Sequence, residues 1–278
     1  MRLSGLAAIF MLLLGPPLAA QAPAATAEIA YGADPRQRLD YTRIEGRDAP
    51  LVLFVHGGGW RRGDKNLAVH MAAHFHEQGY AFATINYRLV PDATVDGQAA
   101  DVASAIARLR REPGVDPRRI LLIGHSAGAH LVALVGTDPA YLGAHRIALS
   151  DLAGIVPLDG AGYDVPRQIA QSGPLLRHLY RNAFGDDPEF QRRVSPIAHA
   201  AAPNAPRFLI LHIASRPDDS GAQSEALAAA LRTAGTPAEV ASVPGSHSDI
   251  FRNFGRPGHE ATALVDAFAA DLFATEAR

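Results

Sequence analysis

Ser126 is the residue of this chain best suited to nucleophilic chemistry, because it lies in the run Gly124-His125-Ser126-Ala127-Gly128. An apolar stretch precedes this G-x-S-x-G pattern and a helical stretch follows it, which is the context in which the pattern marks a nucleophile on a sharp strand-to-helix turn. Gly124 and Gly128 lack side chains where such a turn brings the backbone close together, and the serine itself takes a strained conformation. The hydroxyl then lies at a helix N-terminus, where N–H groups favour developing negative charge.

A second glycine-rich run, His56-Gly57-Gly58-Gly59-Trp60, follows directly on the apolar stretch Leu51–Val55. Consecutive glycines leave backbone N–H groups free to face a ligand, as in the HGGG-type loop that supplies half of an oxyanion hole. The residue after the nucleophile supplies the other half. The donors predicted for this hole are the amides of Gly58, Gly59 and Ala127.

A serine nucleophile needs a general base, and the base needs a carboxylate that holds its tautomer. Where the serine occupies a turn of this kind, the chain order is serine, acid, then histidine. His247 lies in Val243-Pro-Gly-Ser-His-Ser-Asp, just beyond the last apolar stretch, and is preferred over His259 as the base.

The acid has three candidates. Asp218 and Asp219 both follow the apolar stretch Phe208–Ile213, and their spacing alone does not separate them. Asp218 is preferred, with Asp219 ordering the loop. Asp159, which follows the stretch Gly154–Leu158, is the third candidate. Any of the three could instead cap a helix or form a turn.

Four other side chains near these motifs have open roles. His56 is expected to brace the glycine loop through hydrogen bonds. Trp60 is a candidate for substrate binding, as the lining of an acyl pocket, and a packed loop anchor is the alternative. His125 is a second substrate-binding candidate, although for His125 and His130 a packing role is favoured over a catalytic one.

Alternation of apolar stretches with helical periodicity predicts an α/β fold with a doubly wound, mostly parallel sheet and helices on both faces. The predicted strands are Leu51–Val55, Ala81–Ile85, Ile120–Ile123, Gly154–Leu158, Phe208–Ile213 and Ala238–Val243. The predicted helices include Leu67–Gln78, Gln98–Arg111, Gln223–Thr233 and Ala261–Ala274. The segment 161–202 interrupts the alternation with Gly and Pro and is predicted as a cap within a single domain over residues 27–278.

Composition excludes several classes of function. The formal net charge of the 278 residues is −2, and no long block of Lys and Arg suggests a nucleic-acid partner. The absence of cysteine excludes a disulfide framework, a thiolate nucleophile and a cysteine-ligated metal.

The N-terminus has the pattern of a secretory signal peptide. Residues 1–20 combine Arg2, an apolar run shorter than a membrane span and small residues at a cleavage site. Gln21–Ala27 is predicted as a flexible lead-in. The expected location is secreted or periplasmic, with no stable membrane insertion once the signal is removed.

With these motifs the chain resembles the α/β-hydrolase superfamily, in its esterase and lipase branch with an HGGGW loop. It is also similar to kynurenine formamidase in its HGG-x-W and GHSAGAH runs, in Asn86-Tyr87-Arg88-Leu89 and in Gln223-Ser-Glu-Ala-Leu. Such enzymes often place the acid in a His-Gly-x-x-Asp loop, whereas this chain has His212-Ile-Ala-Ser-Arg216. The resemblance therefore implies the roles of Ser126 and His247 but leaves the acid displaced by about two residues.

The resemblance implies hydrolysis of a small ester or amide through Ser126, Asp218 and His247, without a metal or organic cofactor. A carboxylesterase is the first hypothesis and an aryl formamidase the second, and an esterase acting on polysaccharide-linked acyl groups fits an exported enzyme. A non-catalytic binding module of the same fold is the alternative of another class. Acyl and alcohol specificity and oligomeric state are left open.

Overall fold

The six apolar stretches predicted as strands form the parallel part of one eight-stranded sheet. The structure is a computed structural model that describes residues 26–201, 203–216 and 218–275. In chain order the strands are β1 (Thr26–Ala30), β2 (Arg38–Thr42), β3 (Ala49–Val55), β4 (Ala81–Ile85), β5 (Val115–His125), β6 (Gly154–Leu158), β7 (Phe208–Ile213) and β8 (Ala238–Val243). Their spatial order is β1-β2-β4-β3-β5-β6-β7-β8.

The central strands are buried on both faces, which is why they stand out as near-continuous apolar runs. Every residue of β3 is buried. Its side chains alternate between two apolar clusters, with Leu53 in one and Phe54 in the other. β4, β6, β7 and β8 begin and end at the predicted residues, whereas β3 and β5 begin earlier than predicted.

The two strands at one edge of the sheet were not predicted. β1 is mostly exposed and β2 alternates between buried and half-exposed residues, so neither forms a continuous apolar run. β1 pairs antiparallel with β2, and β2 pairs antiparallel with β4. The predicted lead-in Gln21–Ala27 therefore ends too late, because Thr26 and Ala27 already pair with Thr42 and Tyr41. The predicted signal peptide, residues 1–20, lies outside the described residues.

Helices cover both faces of the sheet, as the doubly wound prediction requires. They are α1 (Val69–Glu77), α2 (Val95–Leu109), α3 (Ala127–Thr137), α4 (Pro139–Gly143), α5 (Val165–Gln171), α6 (Pro174–Phe184), α7 (Pro188–Arg193), α8 (Pro196–His199), α9 (Ser220–Thr233), α10 (Asp249–Arg252) and α11 (Glu260–Thr275). α2, α3 and α9 pack on one face, and α1, α10 and α11 on the other. The predicted fold class is confirmed. Among the helices described, none is long and apolar enough to cross a membrane.

The segment between β6 and β7 contains the four short helices α5 to α8. Each has a proline at its first or second position, where proline starts a helix without losing a needed hydrogen bond. α6 contributes Leu176, Leu179 and Tyr180 to the cavity described below. These helices occupy the segment for which a cap was predicted.

Candidate active site

Ser126 occupies the sharp turn between β5 and α3. β5 ends at His125 and α3 begins at Ala127, so a single residue separates strand from helix. Its backbone angles are φ 56° and ψ −117°, a region that non-glycine residues rarely adopt. Hydrogen bonds hold it there, from the Ser126 N–H to the carbonyl of Leu158 (3.0 Å) and from the His130 N–H to the carbonyl of Ser126 (3.2 Å).

The glycines on either side permit this turn because the backbone leaves no room for a side chain. A Cβ on Gly124 would lie 2.2 Å from the carbonyl oxygen of Gly128. A Cβ on Gly128 would lie 2.1 Å from the carbonyl oxygen of Val55. Since real Cβ atoms do not approach backbone atoms this closely, alanine at either position would force the turn to move.

His247 lies next to Ser126, in the loop between β8 and α10. Its Nε2 is 3.0 Å from Ser126 Oγ, and its Nδ1 is 2.5 Å from Asp159 Oδ2. An ionised carboxylate can only accept, so Nδ1–H donates to Asp159 and the Nε2 lone pair faces the serine hydroxyl. This is the tautomer that a general base toward Ser126 requires.

Asp159, rather than Asp218, is the carboxylate against the imidazole. It follows β6, is completely buried, and accepts a hydrogen bond on Oδ1 from the N–H of Ile213 (2.9 Å). Burial raises its pKa, but the hydrogen bond from His247, the positive charge of Arg216 and the hydrogen bond from the Ile213 N–H together with the charge of His247 lower it by more. The pKa of Asp159 therefore lies below its ordinary value, and the carboxylate is ionised at neutral pH.

The predicted placement of Asp218 is wrong. Its carboxylate accepts from Nε (2.8 Å) and Nη2 of Arg216. The guanidinium of Arg216 lies between Asp218 and His247, with Nη1 3.0 Å from His247 Nδ1. Asp219 forms an ion pair with Arg167 (3.2 Å), at the start of α9. Neither residue of the predicted pair reaches the imidazole, because Arg216 occupies the intervening space.

Sequence reasoning undervalued Asp159 and missed Arg216. Leu158-Asp159-Gly160 repeats, one strand further along the sheet, the arrangement of a buried strand followed directly by a polar residue and then a small one. Like Ser126, Asp159 has a positive φ, of 49°. The departure from His-Gly-x-x-Asp at Arg216 was visible in the sequence, but nothing there showed which carboxylate the arginine would contact.

The glycine loop after β3 borders the same site. Gly58 and Gly59 have positive φ angles of 132° and 60°, and both line the cavity together with Ser126 and Ala127. Ala127 is the first residue of α3, so its N–H has no acceptor within that helix. The three predicted oxyanion donors thus come from segments that meet at one cavity, beside the Ser126 hydroxyl.

The prediction that His56 braces this loop is confirmed. Its Nδ1–H donates to the carbonyl of Gly57 (2.8 Å), and the Tyr87 hydroxyl donates to the carbonyl of His56 (2.8 Å). The two rings are stacked, with centroids 4.4 Å apart. A Cβ on Gly63 would lie 2.3 Å from His56 Nδ1, so the following turn also closes tightly on this ring.

Trp60 and His125 line the cavity, but both are largely buried. Trp60 is 2% exposed and lies edge-on to His130 and to Phe184 of α6, with centroids 5.5 Å and 4.6 Å away. Nε2–H of His125 donates to the carbonyl of His247 (2.7 Å), and the two rings are 4.6 Å apart. The contacts of both residues fit the packing roles left open in the sequence, and those of His125 also hold the His247 loop in place.

The cavity beside Ser126 has a volume of about 470 Å³. Apolar side chains of the cap helix α6 and of α10 form part of its wall, among them Leu179, Tyr180 and Phe251. Its size and mixed lining suit a small organic ligand. Within the part of the chain that the structure describes, no group of three or more His, Asp or Glu side chains is arranged to hold a metal ion.

Comparison with known proteins places this arrangement in a family. The family model BD-FAE matches residues 41–231, which is more than half of the 278-residue chain. The chain belongs to the BD-FAE family. The match begins in β2 and ends within α9, so it includes Ser126 and Asp159 but stops before His247.

Several curated relatives of this BD-FAE chain carry esterase names. Esterase LipQ of Mycobacterium tuberculosis is 34% identical over 241 residues, which cover 81% of this chain and 57% of LipQ. The probable carboxylic ester hydrolase LipM of the same organism is 30% identical over 268 residues, covering 90% of this chain and 62% of LipM. Isoprenylcysteine alpha-carbonyl methylesterase ICME of Arabidopsis thaliana is 28% identical over 241 residues, which cover 80% of this chain and 56% of ICME. The chain spans about three-fifths of the length of these relatives.

Solved esterase structures share the fold of this BD-FAE chain. Esterase B from Lactobacillus rhamnosis superposes with a TM-score of 0.73 at 23% identity, covering 91% of this chain and 87% of that one. Thermogutta terrifontis esterase 2, in a form phosphonylated by sarin, superposes with a TM-score of 0.75 at 22% identity. The superposition covers 91% of this chain and 96% of the Thermogutta chain. These likenesses establish the α/β-hydrolase fold.

Three buried histidines should make the stability of this BD-FAE chain fall in mild acid. Burial lowers the pKa of His56 to about 4, of His125 to about 3 and of His130 to about 4, from an ordinary 6.5. Between about pH 6.5 and pH 4, the three imidazoles therefore bind protons in the unfolded chain but stay neutral in the folded chain. We expect full stability above about pH 6.5 and a loss toward pH 4, at most about 4 kcal/mol per pH unit from these three groups.

Urea unfolding between pH 7.5 and 4.5 measures this loss. His130→Gln removes one of the three groups and should make the dependence on pH shallower, because one proton fewer is taken up on unfolding. A free energy of unfolding that stays constant from pH 6.5 to 4.5 would show that these imidazoles are not held neutral.

Proposed function

We propose that this chain hydrolyses carboxylic esters through an acyl-enzyme on Ser126. The observation that carries the proposal is the continuous hydrogen-bonded chain from Ser126 Oγ through His247 to Asp159, at 3.0 and 2.5 Å. It ends on a carboxylate that accepts a further hydrogen bond from the N–H of Ile213. The esterase names of the relatives support the same reaction class.

In the first half-reaction, Ser126 Oγ attacks the ester carbonyl carbon while His247 Nε2 takes the hydroxyl proton. Asp159 stabilises the imidazolium and stays ionised. The carbonyl oxygen becomes an oxyanion that accepts hydrogen bonds from the amides of Gly58, Gly59 and Ala127. The carbon–oxygen bond to the alcohol then breaks, and His247 passes its proton to the departing alcohol oxygen.

In the second half-reaction, water attacks the acyl carbon and gives a proton to His247 Nε2. The second tetrahedral intermediate collapses with cleavage of the bond to Ser126 Oγ, which recovers the proton from His247. One ester and one water thus yield one alcohol and one carboxylic acid, and no group beyond the chain's own residues is required.

We propose a small ester as the substrate, on the basis of the cavity volume of about 470 Å³. An aryl formamide remains the second candidate, because the same residues can attack an amide carbonyl. Export to the periplasm or the medium is part of this proposal and rests on the sequence of residues 1–20 alone.

The test of this proposal uses purified protein, p-nitrophenyl esters of increasing acyl length, an N-formyl arylamine and a fluorophosphonate probe. We expect ester hydrolysis, one labelled site per chain, and a loss of kcat of at least about 10⁴-fold in Ser126→Ala. Ser104→Ala on α2 is the matched control, since its hydroxyl donates to the carbonyl of Ala100 within the same helix, and its Oγ accepts from Nε2–H of His145 at 3.3 Å.

Each contrary outcome has a distinct meaning. Faster turnover of the formamide than of every ester would favour the formamidase. A folded wild-type protein that neither hydrolyses nor is labelled would favour a binding module. Activity that persists in Ser126→Ala would remove Ser126 as the nucleophile.

A further inference from the structure

The side chain of Arg216 joins the candidate acid, the candidate base and a second carboxylate. Its Nη1 lies 2.8 Å from Asp159 Oδ2, 2.8 Å from the carbonyl oxygen of Asp159 and 3.0 Å from His247 Nδ1. Its Nε and Nη2 donate to the two carboxylate oxygens of Asp218. The guanidinium side chain is 15% exposed, Asp218 6% and Asp159 0%, so water screens this group only weakly.

These contacts fix both oxygens of the Asp159 carboxylate. Oδ1 accepts from the Ile213 N–H, and Oδ2 accepts from Arg216 Nη1 and from His247 Nδ1. A carboxylate held by three donors cannot rotate without breaking a charge-assisted hydrogen bond. Since Asp159 itself has a positive φ of 49°, the Arg216 contact to its backbone carbonyl also supports a strained backbone.

The same contacts place a permanent cation beside the imidazole. Both Arg216 Nη1 and His247 Nδ1 carry hydrogens and point at the same oxygen, so their 3.0 Å separation is a contact between two donors. A guanidinium this close disfavours a second positive charge on the ring. Asp218 offsets part of that effect, because its carboxylate pairs with the guanidinium on the side away from Asp159.

We propose that Arg216 is a positioning residue that orients the Asp159 carboxylate toward His247 and sets how readily His247 accepts a proton. This inference rests on the proposed function. The other ionisable groups around this network are His125, Tyr163 and Tyr180. Burial raises the pKa of both tyrosines and lowers that of His125, so all three are neutral and Asp218 is the charge that modulates Arg216.

The test measures kcat and KM on a p-nitrophenyl ester from pH 5 to 9, with the active fraction counted by fluorophosphonate labelling. In Arg216→Gln we expect kcat per labelled site to fall by about 10- to 100-fold, as for other small misplacements of reacting groups, with KM changed by less than about threefold. The acidic limb of the pH–rate profile should move to higher pH by at least about half a unit, because the cation that opposes an imidazolium has gone.

Two further variants separate charge from geometry. Arg216→Lys keeps the charge but not the two-pronged fork, so kcat should fall while the acidic limb stays within about 0.2 units of wild type. Asp218→Asn leaves the guanidinium uncompensated, so the limb should move to lower pH. Arg118→Gln, at an exposed residue near the start of β5, is the control for loss of an arginine.

A purely structural role predicts a lower labelled fraction with unchanged kcat per site and an unchanged limb, and that result would overturn the proposal. If Arg216→Gln does not fold, the acidic limb of the pH–rate profile of Asp218→Asn tests the proposal instead. An acidic limb at the wild-type position in that variant would also overturn the proposal. Loss of activity in Ser126→Ala is measured alongside. If the wild type is active through Ser126 and the Arg216 variants keep its kcat per labelled site and its pH–rate profile, this inference alone is wrong. If the wild type is inactive, the proposed function is wrong and the inference with it.

Discussion

Asp159→Asn is expected to lower kcat by about 10³- to 10⁴-fold, with the fold intact. An asparagine amide has the shape of the carboxylate but carries no charge, and its NH₂ group can present a donor to the imidazole. His247 would then lose the partner that selects the Nδ1–H tautomer and stabilises the imidazolium. The kinetic assay on the p-nitrophenyl esters, normalised to labelled sites, measures the loss.

Asp218→Asn is the comparison that makes this result specific, because both carboxylates are buried and both contact Arg216. The guanidinium of Arg216 lies between Asp218 and His247. Neutralising Asp218 should therefore lower kcat by no more than about tenfold, since its effect on His247 is indirect and electrostatic. Asp186→Asn, at an exposed residue that follows α6 and lies before α7, controls for the substitution itself. If Asp218→Asn lost more activity than Asp159→Asn, the acid would be the residue that the sequence favoured, and the arrangement around Arg216 would have to change during the reaction.

Gly124→Ala is expected to destabilise the protein by about 3 kcal/mol or more, and to remove activity from the fraction that folds. The added methyl group would lie 2.2 Å from the carbonyl oxygen of Gly128 and 2.4 Å from its carbonyl carbon. Both are backbone atoms of α3, so relief requires the strand and the helix to separate at the turn that carries Ser126. Urea unfolding and the labelled fraction measure the two effects.

Gly143→Ala is the matched control for this substitution. Gly143 lies in α4, and a Cβ there would meet nothing within 4 Å. Alanine in a helix is favoured over glycine by about 0.5–1 kcal/mol, so Gly143→Ala should be neutral or slightly stabilising. A Gly124→Ala protein with wild-type stability would mean that the turn is less tightly closed than these distances require.

The parallel strands β3 to β7 could be predicted from the sequence because the stretches predicted for them are almost entirely buried. β4, β6 and β7 have the predicted bounds, since a residue that leaves such a strand also leaves the apolar core. β8 has the predicted bounds as well, although only its two end residues, Ala238 and Val243, are buried. β1 and β2 escaped prediction for the opposite reason. β1, at the edge of the sheet, is mostly exposed, and β2 beside it alternates between buried and half-exposed residues, so neither forms a continuous apolar run.

The candidate site was predictable where chemistry depends on local backbone geometry. Ser126 needs a turn that only Gly124 and Gly128 permit, and the glycine loop needs residues without side chains. The acid depends instead on how three loops meet above β6, β7 and β8. Asp159 and Asp218 both follow strands in the correct chain order, and only the position of Arg216 between them decides which reaches His247. Such a distinction depends on the path of a long side chain, which no sequence pattern encodes.

Trp60 belongs to the glycine loop by sequence and to the cap by packing. It directly follows Gly59, and its indole is buried against Tyr180 and Phe184 of α6. The glycine loop with the predicted oxyanion donors and the helix that forms part of the cavity wall are therefore in contact through one side chain. For protein engineering, we expect that replacing the segment α5 to α8 to change substrate preference would also move the backbone N–H groups of the glycine loop. We therefore expect that α6 and the glycine loop have to be transplanted together, with Trp60, Tyr180 and Phe184 all retained.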